Sequence, residues 1–159
     1  MNGNMYYWDK ETNGLYCWDL ESDTPECLFA GPIRFDDEVS YDRLSLSADS
    51  FDGHLLVTAV QDSDGQAVSC AFDPISKSLQ KLTLTSDDEK SVLILAEGSE
   101  YFLVRYGLME YEVPDYAPDG REITTTMLLP NLRLIEKSDY WNNIPNYILL
   151  DDYVYSRKP

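Results

Sequence analysis

The sequence predicts an all-β protein built from repeated four-stranded antiparallel meanders, and three observations carry that prediction. Apolar residues alternate or run in short blocks between turn clusters such as Asp9-Lys10-Glu11-Thr12-Asn13-Gly14, Asp62-Ser63-Asp64-Gly65 and Ala117-Pro118-Asp119-Gly120. That is the pattern of short strands joined by tight turns. Helical periodicity is nearly absent; one helical turn fits within 136–143 before Asn142-Asn143 and Pro145 stop it. Finally, an aromatic residue followed by an acid returns in Gly14-Leu15-Tyr16-Cys17-Trp18-Asp19-Leu20, in Ala71-Phe72-Asp73-Pro74 and in Gly107-Leu108-Met109-Glu110-Tyr111-Glu112-Val113. Trp18, Phe72 and Tyr111 stand 54 and then 39 residues apart, spacings that mark an array of like supersecondary units.

Taken in order, the first strands are expected at 5–8, where Tyr6-Tyr7-Trp8 favours a pleated surface, then at 15–20 and 26–29. A complete meander follows at 41–47, 54–61, 67–73 and 79–85, with Asp52-Gly53 and Asp64-Gly65 supplying residues that tolerate positive φ in the hairpin turns. Further strands are expected at 91–96, 100–105, 108–113 and 122–128, and again at 131–136, 147–150 and near Tyr153. With the aromatic-acid phrase as the third strand of each unit, the chain reads as one domain, 1–159. It holds a partial unit at about 5–30, full units at 41–85 and 91–128, and a partial unit at 131–159.

The 159 residues, 43% hydrophobic and 13% aromatic, are enough for an ordinary domain with a real core. Tyrosine dominates the aromatics, with 12 against 5 Phe and 3 Trp, which suits half-buried strands whose hydroxyls stay wet. With 29 acidic and 12 basic residues the net charge is −17. The field of such a chain repels phosphate backbones and anionic headgroups, so nucleic acid and acidic membrane surfaces are excluded as expected partners. The acidic surface keeps a β-rich protein soluble and blunts its strand edges; it also suits capture of a basic partner. No apolar stretch is long enough to span a bilayer. No signal peptide precedes Met5, which points to a cytoplasmic chain if Met1 is the natural start and to an extracytoplasmic one if the chain is excised from a secreted protein.

The stretch from Met5 to Leu20, with its strand, Gly turn and Leu-Tyr-x-aromatic-Asp-Leu, resembles the blade text of bacterial β-propellers of the TolB-like and YWTD-like kind. Leu44-Ser45-Leu46-Ser47-Ala48-Asp49-Ser50-Phe51-Asp52-Gly53-His54 is similar to the strand and S-x-D-G turn that open such a blade. Glu110-Tyr111-Glu112 departs from the blade's aromatic-Asp, and Ser138 to Pro145 matches no part of it. The resemblance implies a partial or incomplete propeller of about three and a half blades, where a closed ring usually takes four to eight. A fragment of a larger propeller or an incomplete ring is the favoured reading; association of copies and an unclosed stack of meanders are the alternatives.

Few residues suggest chemistry. His54, the sole histidine, follows a turn and reads as structural, with no nucleophile elbow to pair with it. Asp62-Ser63-Asp64-Gly65 resembles half a calcium loop. With Gly65 in the sixth position, however, positions one and twelve are Val60 and Ala71, so a hairpin turn is expected. Cys17, Cys27 and Cys70 have no metal-ligand spacing and read as buried thiols, although Cys17 and Cys27 flank one turn and a bridge there is geometrically allowed. Asp36-Asp37-Glu38 and Asp87-Asp88-Glu89 fall between units as solvated loop charge. Alternation assigns Tyr6, Tyr7, Trp8, Trp18, Tyr101, Phe102 and Tyr111 mostly to packing. Tyr140 and Trp141, in an irregular segment, are the candidate platform for a sugar or a partner.

No catalytic, cofactor or metal site is therefore expected. The functional expectation is a non-enzymatic propeller-type module that presents loops to a protein or glycan, with the remaining blades or a second copy as further partners. The alternative is an acidic inhibitor or immunity-type protein that neutralises a basic partner.

Overall fold

The computed structural model describes residues 4–35, 39–87 and 89–150. Its strands are β1 (Asn4–Asp9), β2 (Gly14–Asp19), β3 (Glu26–Ala30), β4 (Ile33–Arg34), β5 (Ser40–Tyr41), β6 (Arg43–Phe51), β7 (His54–Val60), β8 (Ala67–Asp73) and β9 (Ser78–Lys81). They continue as β10 (Leu93–Glu97), β11 (Tyr101–Tyr116) and β12 (Glu122–Glu136); a short helix α1 (Lys137–Trp141) and β13 (Tyr147–Leu149) follow. All pairings are antiparallel between chain neighbours, giving sheets β1-β2-β3, β4-β5, β6-β7-β8-β9 and β10-β11-β12-β13, none closed on itself. The all-β expectation thus holds, and the chain divides into two compact units, Met1–Thr83 and Leu84–Pro159.

In Met1–Thr83 strand alternation builds the core. On β7, Leu55, Val57 and Ala59 point inward and Leu56, Thr58 and Val60 are half-buried. Register sets Phe72 and Cys70 of β8 opposite Leu55 and Val57, and Leu44 of β6 opposite Ala59. Leu15 and Leu28 from the first sheet and Ile33 and Tyr41 from β4 and β5 join the same cluster, so three sheets share one core. Burial holds the Cys70 thiol up at about 11.

The aromatic-acid pairs at strand ends have a common physical role in this unit. At Trp8-Asp9, Trp18-Asp19 and Phe72-Asp73 the acid's Oδ1 accepts the backbone N–H two residues on: Glu11 at 3.0 Å, Glu21 at 3.0 Å and Ile75 at 2.9 Å. A hydroxyl three residues on donates to the other oxygen in two cases, Thr12 to Asp9 at 2.9 Å and Ser76 to Asp73 at 2.6 Å. These are Asx turns, in which the side chain stands in for a backbone acceptor and starts the reversal. Asn13 (φ 51°) and Lys77 (φ 55°) then take the left-handed position that closes each hairpin.

In Leu84–Pro159 the strands differ from the sequence expectation. The segments 100–105 and 108–113 are one strand, β11, with a bulge, and 122–128 and 131–136 are one strand, β12. A unit boundary between Leu128 and Asn131 therefore falls inside a strand, and one four-stranded sheet replaces the end of one expected unit and the start of the next. Likewise 41–47 divides between β5 and β6, and 79–85 is strand only as far as Lys81. The strand expected near Tyr153 lies outside the described residues. The helical turn expected within 136–143 is present as α1.

The core of this second unit is the sheet face carrying Ile94, Phe102, Val104 and Ile135, covered by Leu84, Val92, Tyr140 and Trp141. Tyr140 and Trp141 meet Phe102 edge-to-face at 5.4 and 5.3 Å, and each other at 5.1 Å. Three rings so arranged place positive edges on negative faces. Glu97 and Lys137, 2.5 Å apart, pair beside this cluster.

Asp73 supplies a test of the turn chemistry. The Ser76 hydroxyl, then the Ile75 N–H, hold its carboxyl below the ordinary 3.8. A lowered carboxyl value means the ionised form is favoured by folding, so this stabilisation is full above 3.8 and is lost as pH falls through the lower folded value. Asp73→Ala is expected to cost about 1 kcal/mol in urea denaturation at neutral pH, a difference that shrinks in acid below that value.

Candidate binding surface

Tyr140 and Trp141 lie on α1 and are only 2% and 9% exposed, packed on Phe102. The Tyr140 hydroxyl donates to the Val92 carbonyl at 3.3 Å, and burial pushes its pKa up to about 12. These rings are core, where the sequence expectation had a solvent-facing platform. A short helix buries adjacent aromatics at this point because α1 follows directly from β12 and folds back on the sheet.

The other sequence candidates are structural in their surroundings. His54 stands after an Asp52-Gly53 turn (φ 50° and 80°), with its Nδ1 3.0 Å from the Asp52 carbonyl. Asp62-Ser63-Asp64-Gly65 forms the β7–β8 turn. Gly65 (φ 73°) donates to the Gln61 carbonyl at 3.0 Å, Asp64 accepts from the Gln66 N–H at 2.9 Å, and Asp62 pairs with Arg43 at 2.9 Å. Among the described residues no group of three His, Cys, Asp or Glu is placed to hold a metal ion. Cys17 pairs with Glu26 and Cys27 with Tyr16, so the two thiols project from opposite faces of the sheet, and all three cysteines are free. Asp36-Asp37-Glu38 and Asp88 lie outside the described residues. Asp87 accepts the Tyr106 hydroxyl at 2.9 Å, a bond that together with burial raises the Tyr106 pKa.

The surface that sequence reasoning missed is the outer half of the β11–β12 pair. β10 reaches only as far as Arg105 of β11, and β13 only as far as Arg133 of β12. Beyond them the two strands stay paired from Leu108↔Pro130 to Tyr116↔Glu122, with no third strand on either edge among the described residues. Between Arg105↔Leu132 and Leu108↔Pro130, Tyr106 and Gly107 oppose the single Asn131, with Gly107 at φ 97°. This is a bulge whose glycine takes the left-handed conformation. The loop Ala117-Pro118-Asp119-Gly120-Arg121 ends the ribbon, Ala117 N–H donating to the Arg121 carbonyl at 2.9 Å and Gly120 taking φ 83°.

Residues opposite one another in the ladder share a face. One face therefore carries Met109 with Leu129, Tyr111 with Met127, Val113 with Thr125 and Asp115 with Ile123. Along β12 the same alternation runs back through Asn131 and Arg133 to buried Ile135, so this face continues the core face of the sheet. Nothing among the described residues covers it: Tyr111 is 43% and Met127 46% exposed, with Met109, Ile123 and Leu129 exposed as well. The opposite face alternates Leu108, Glu110, Glu112 and Tyr116 with Pro130, Leu128, Thr126 and Glu122.

At the junction between covered and uncovered halves, Tyr106 stacks at a tilt on Tyr147 at 4.5 Å, and the Arg133 guanidinium lies 5.6 Å over the Tyr106 ring. The Asn131 Oδ1 and Tyr147 hydroxyl are enclosed there without a hydrogen-bond partner among the described residues, and burial raises Tyr147 to about 12. Among the described residues no helix is long and apolar enough to cross a membrane. No family model matches the chain, and no curated protein or solved structure matches it.

The raised phenol values carry a sign. Folding favours the protonated form of Tyr140 and Tyr147, so their contribution is full below the ordinary value of 10.0 and is lost as pH climbs towards about 12. Alkaline difference spectroscopy is expected to show Tyr140 and Tyr147 among the last tyrosines to ionise, with unfolding as they do; Tyr140→Phe removes one of these late phenols and costs about 1 kcal/mol.

Proposed function

We propose that the chain is a non-enzymatic binding module with the architecture of an incomplete propeller, and that it engages a protein partner through the ribbon formed by the outer halves of β11 and β12. The sequential up-and-down order of the sheets and the Asx turns at Trp8-Asp9, Trp18-Asp19 and Phe72-Asp73 support the architecture. The single observation that carries the binding role is the apolar ribbon face held in solvent: contiguous exposed apolar surface of this kind marks a site of interaction. Six of its eight residues are Met109, Met127, Leu129, Ile123, Val113 and Tyr111, which suits the apolar centre of a protein interface better than a glycan, whose many hydroxyls need polar partners. Methionines add adaptable contact surface.

The second reading, an acidic protein that neutralises a basic partner, is favoured by the net charge of −17. The two differ in salt dependence, since attraction between exposed charges weakens as the Debye length shrinks.

The test places a photo-crosslinking amino acid at Met127 in cells, with the same group at exposed Ile75 as control. A discrete adduct with one other protein is expected from Met127 and not from Ile75. Absence of an adduct at Met127, or the same adducts from both positions, would overturn the reading.

A further inference from the structure

We propose that the occupant of the ribbon's apolar face is a cationic amphipathic segment of another protein, laid along the strip between Met109–Leu129 and Val113–Thr125; this rests on the reading of the ribbon as the docking element. Charge selects the occupant. Residues 107–130 hold five acids, Glu110, Glu112, Asp115, Asp119 and Glu122, against the single base Arg121. Arg121 is already paired with Asp119 at 2.7 Å, at the tip. Glu110, Glu112, Asp115 and Glu122 make no ion pair among the described residues, although the Thr125 hydroxyl donates to Asp115 at 3.1 Å. On a ribbon two strands wide, all four lie within about a Debye length of a segment on the apolar face. Asp115 shares the apolar face, while Glu110, Glu112 and Glu122 stand on the opposite one and act across the ribbon and around its open edges, so a partner with Lys or Arg flanking its apolar residues is attracted and an acidic one repelled.

A second copy of this chain does not fit the face. Nine residue pairs make the outer ribbon, roughly 30 Å long and ~10 Å wide, a plane of about 300 Å². A stable interface buries about 800 Å² on each partner, and two copies would bring −17 against −17. Strand addition at the ribbon's edges is also opposed. Pro114 on β11 and Pro130 on β12 lack the N–H that a further strand would use, and each edge carries one. What remains is the face, which accepts a side-chain contact with no demand on the backbone.

The test uses three short fluorescein-labelled peptides as probes, alternating Leu with Lys, Ser with Lys and Leu with Glu, and measures binding to the full chain by anisotropy. The Leu–Lys peptide is expected to bind, the Ser–Lys peptide about tenfold more weakly, and the Leu–Glu peptide not measurably. Tyr111→Ser with Met127→Ser should weaken Leu–Lys binding about tenfold. Glu110→Gln with Glu112→Gln, which leaves the apolar packing alone, should weaken it about threefold at low salt with circular dichroism unchanged. Equal binding of the Leu–Glu peptide would overturn the proposal, as would Leu–Lys binding indifferent to both variants. So would a dimer in sedimentation that Tyr111→Ser with Met127→Ser dissolves. A Met127 adduct in cells whose crosslinked segment is acidic or uncharged removes this proposal and leaves the binding-module reading standing; no adduct at all removes both.

Discussion

β11 and β12 remain paired for longer than the sheet that holds them, and the alternation of side chains along a strand does not stop where the sheet stops. Phe102, Val104 and Ile135 face inward beneath Tyr140 and Trp141. The same face, followed along β12, arrives at Leu129, Met127 and Ile123, which no layer of the described residues covers. A one-residue slip would send the apolar set to the other face. The bulge at Tyr106 and Gly107 opposite Asn131 adds one residue to β11 and so keeps Met109, Tyr111 and Val113 on the side that Val104 faces. The ribbon's amphipathicity and its continuity with the core are both consequences of that bulge.

The Met1–Thr83 unit works under a different constraint. Its strands are short, and each reversal has to be specified locally. Asp9, Asp19 and Asp73 do so by accepting a backbone N–H two residues on, while Trp8 and Phe72 pack into the core and the exposed Trp18 donates its ring N–H to the Ser22 carbonyl in the turn. That is why an aromatic and an aspartate recur together. Tyr111-Glu112 shares the spelling and not the role, since it lies mid-strand in the ribbon with the turn several residues away.

The legible part of the fold was the part written in local chemistry. β8 was expected at 67–73 and is found there, and the hairpin turns at Asp52-Gly53, Asp64-Gly65 and Ala117 to Gly120 fall where their glycines predicted them. The ribbon was not legible, because Gly107 and Pro130 read as ends of strands. In a two-stranded ribbon a glycine can be the bulge, and a proline is tolerated where its missing N–H would have faced an open edge. The signal that could have found it was present: Met109, Tyr111 and Val113 alternate on one side of the Pro-Asp-Gly turn, as do Ile123, Thr125, Met127 and Leu129 on the other. Tyr140 and Trp141 were misplaced for the opposite reason. An irregular, polar-flanked segment reads as surface until the helix that turns it back onto Phe102 is known.

The ribbon face is open while its continuation is covered, and hydroxyl-radical footprinting of the free protein measures that contrast residue by residue. Met109, Tyr111 and Met127 should be modified quickly and Phe102, Tyr140 and Trp141 slowly, with the change in rate falling at the bulge opposite Asn131. Protection of Tyr111 and Met127 equal to that of Phe102 would contradict it.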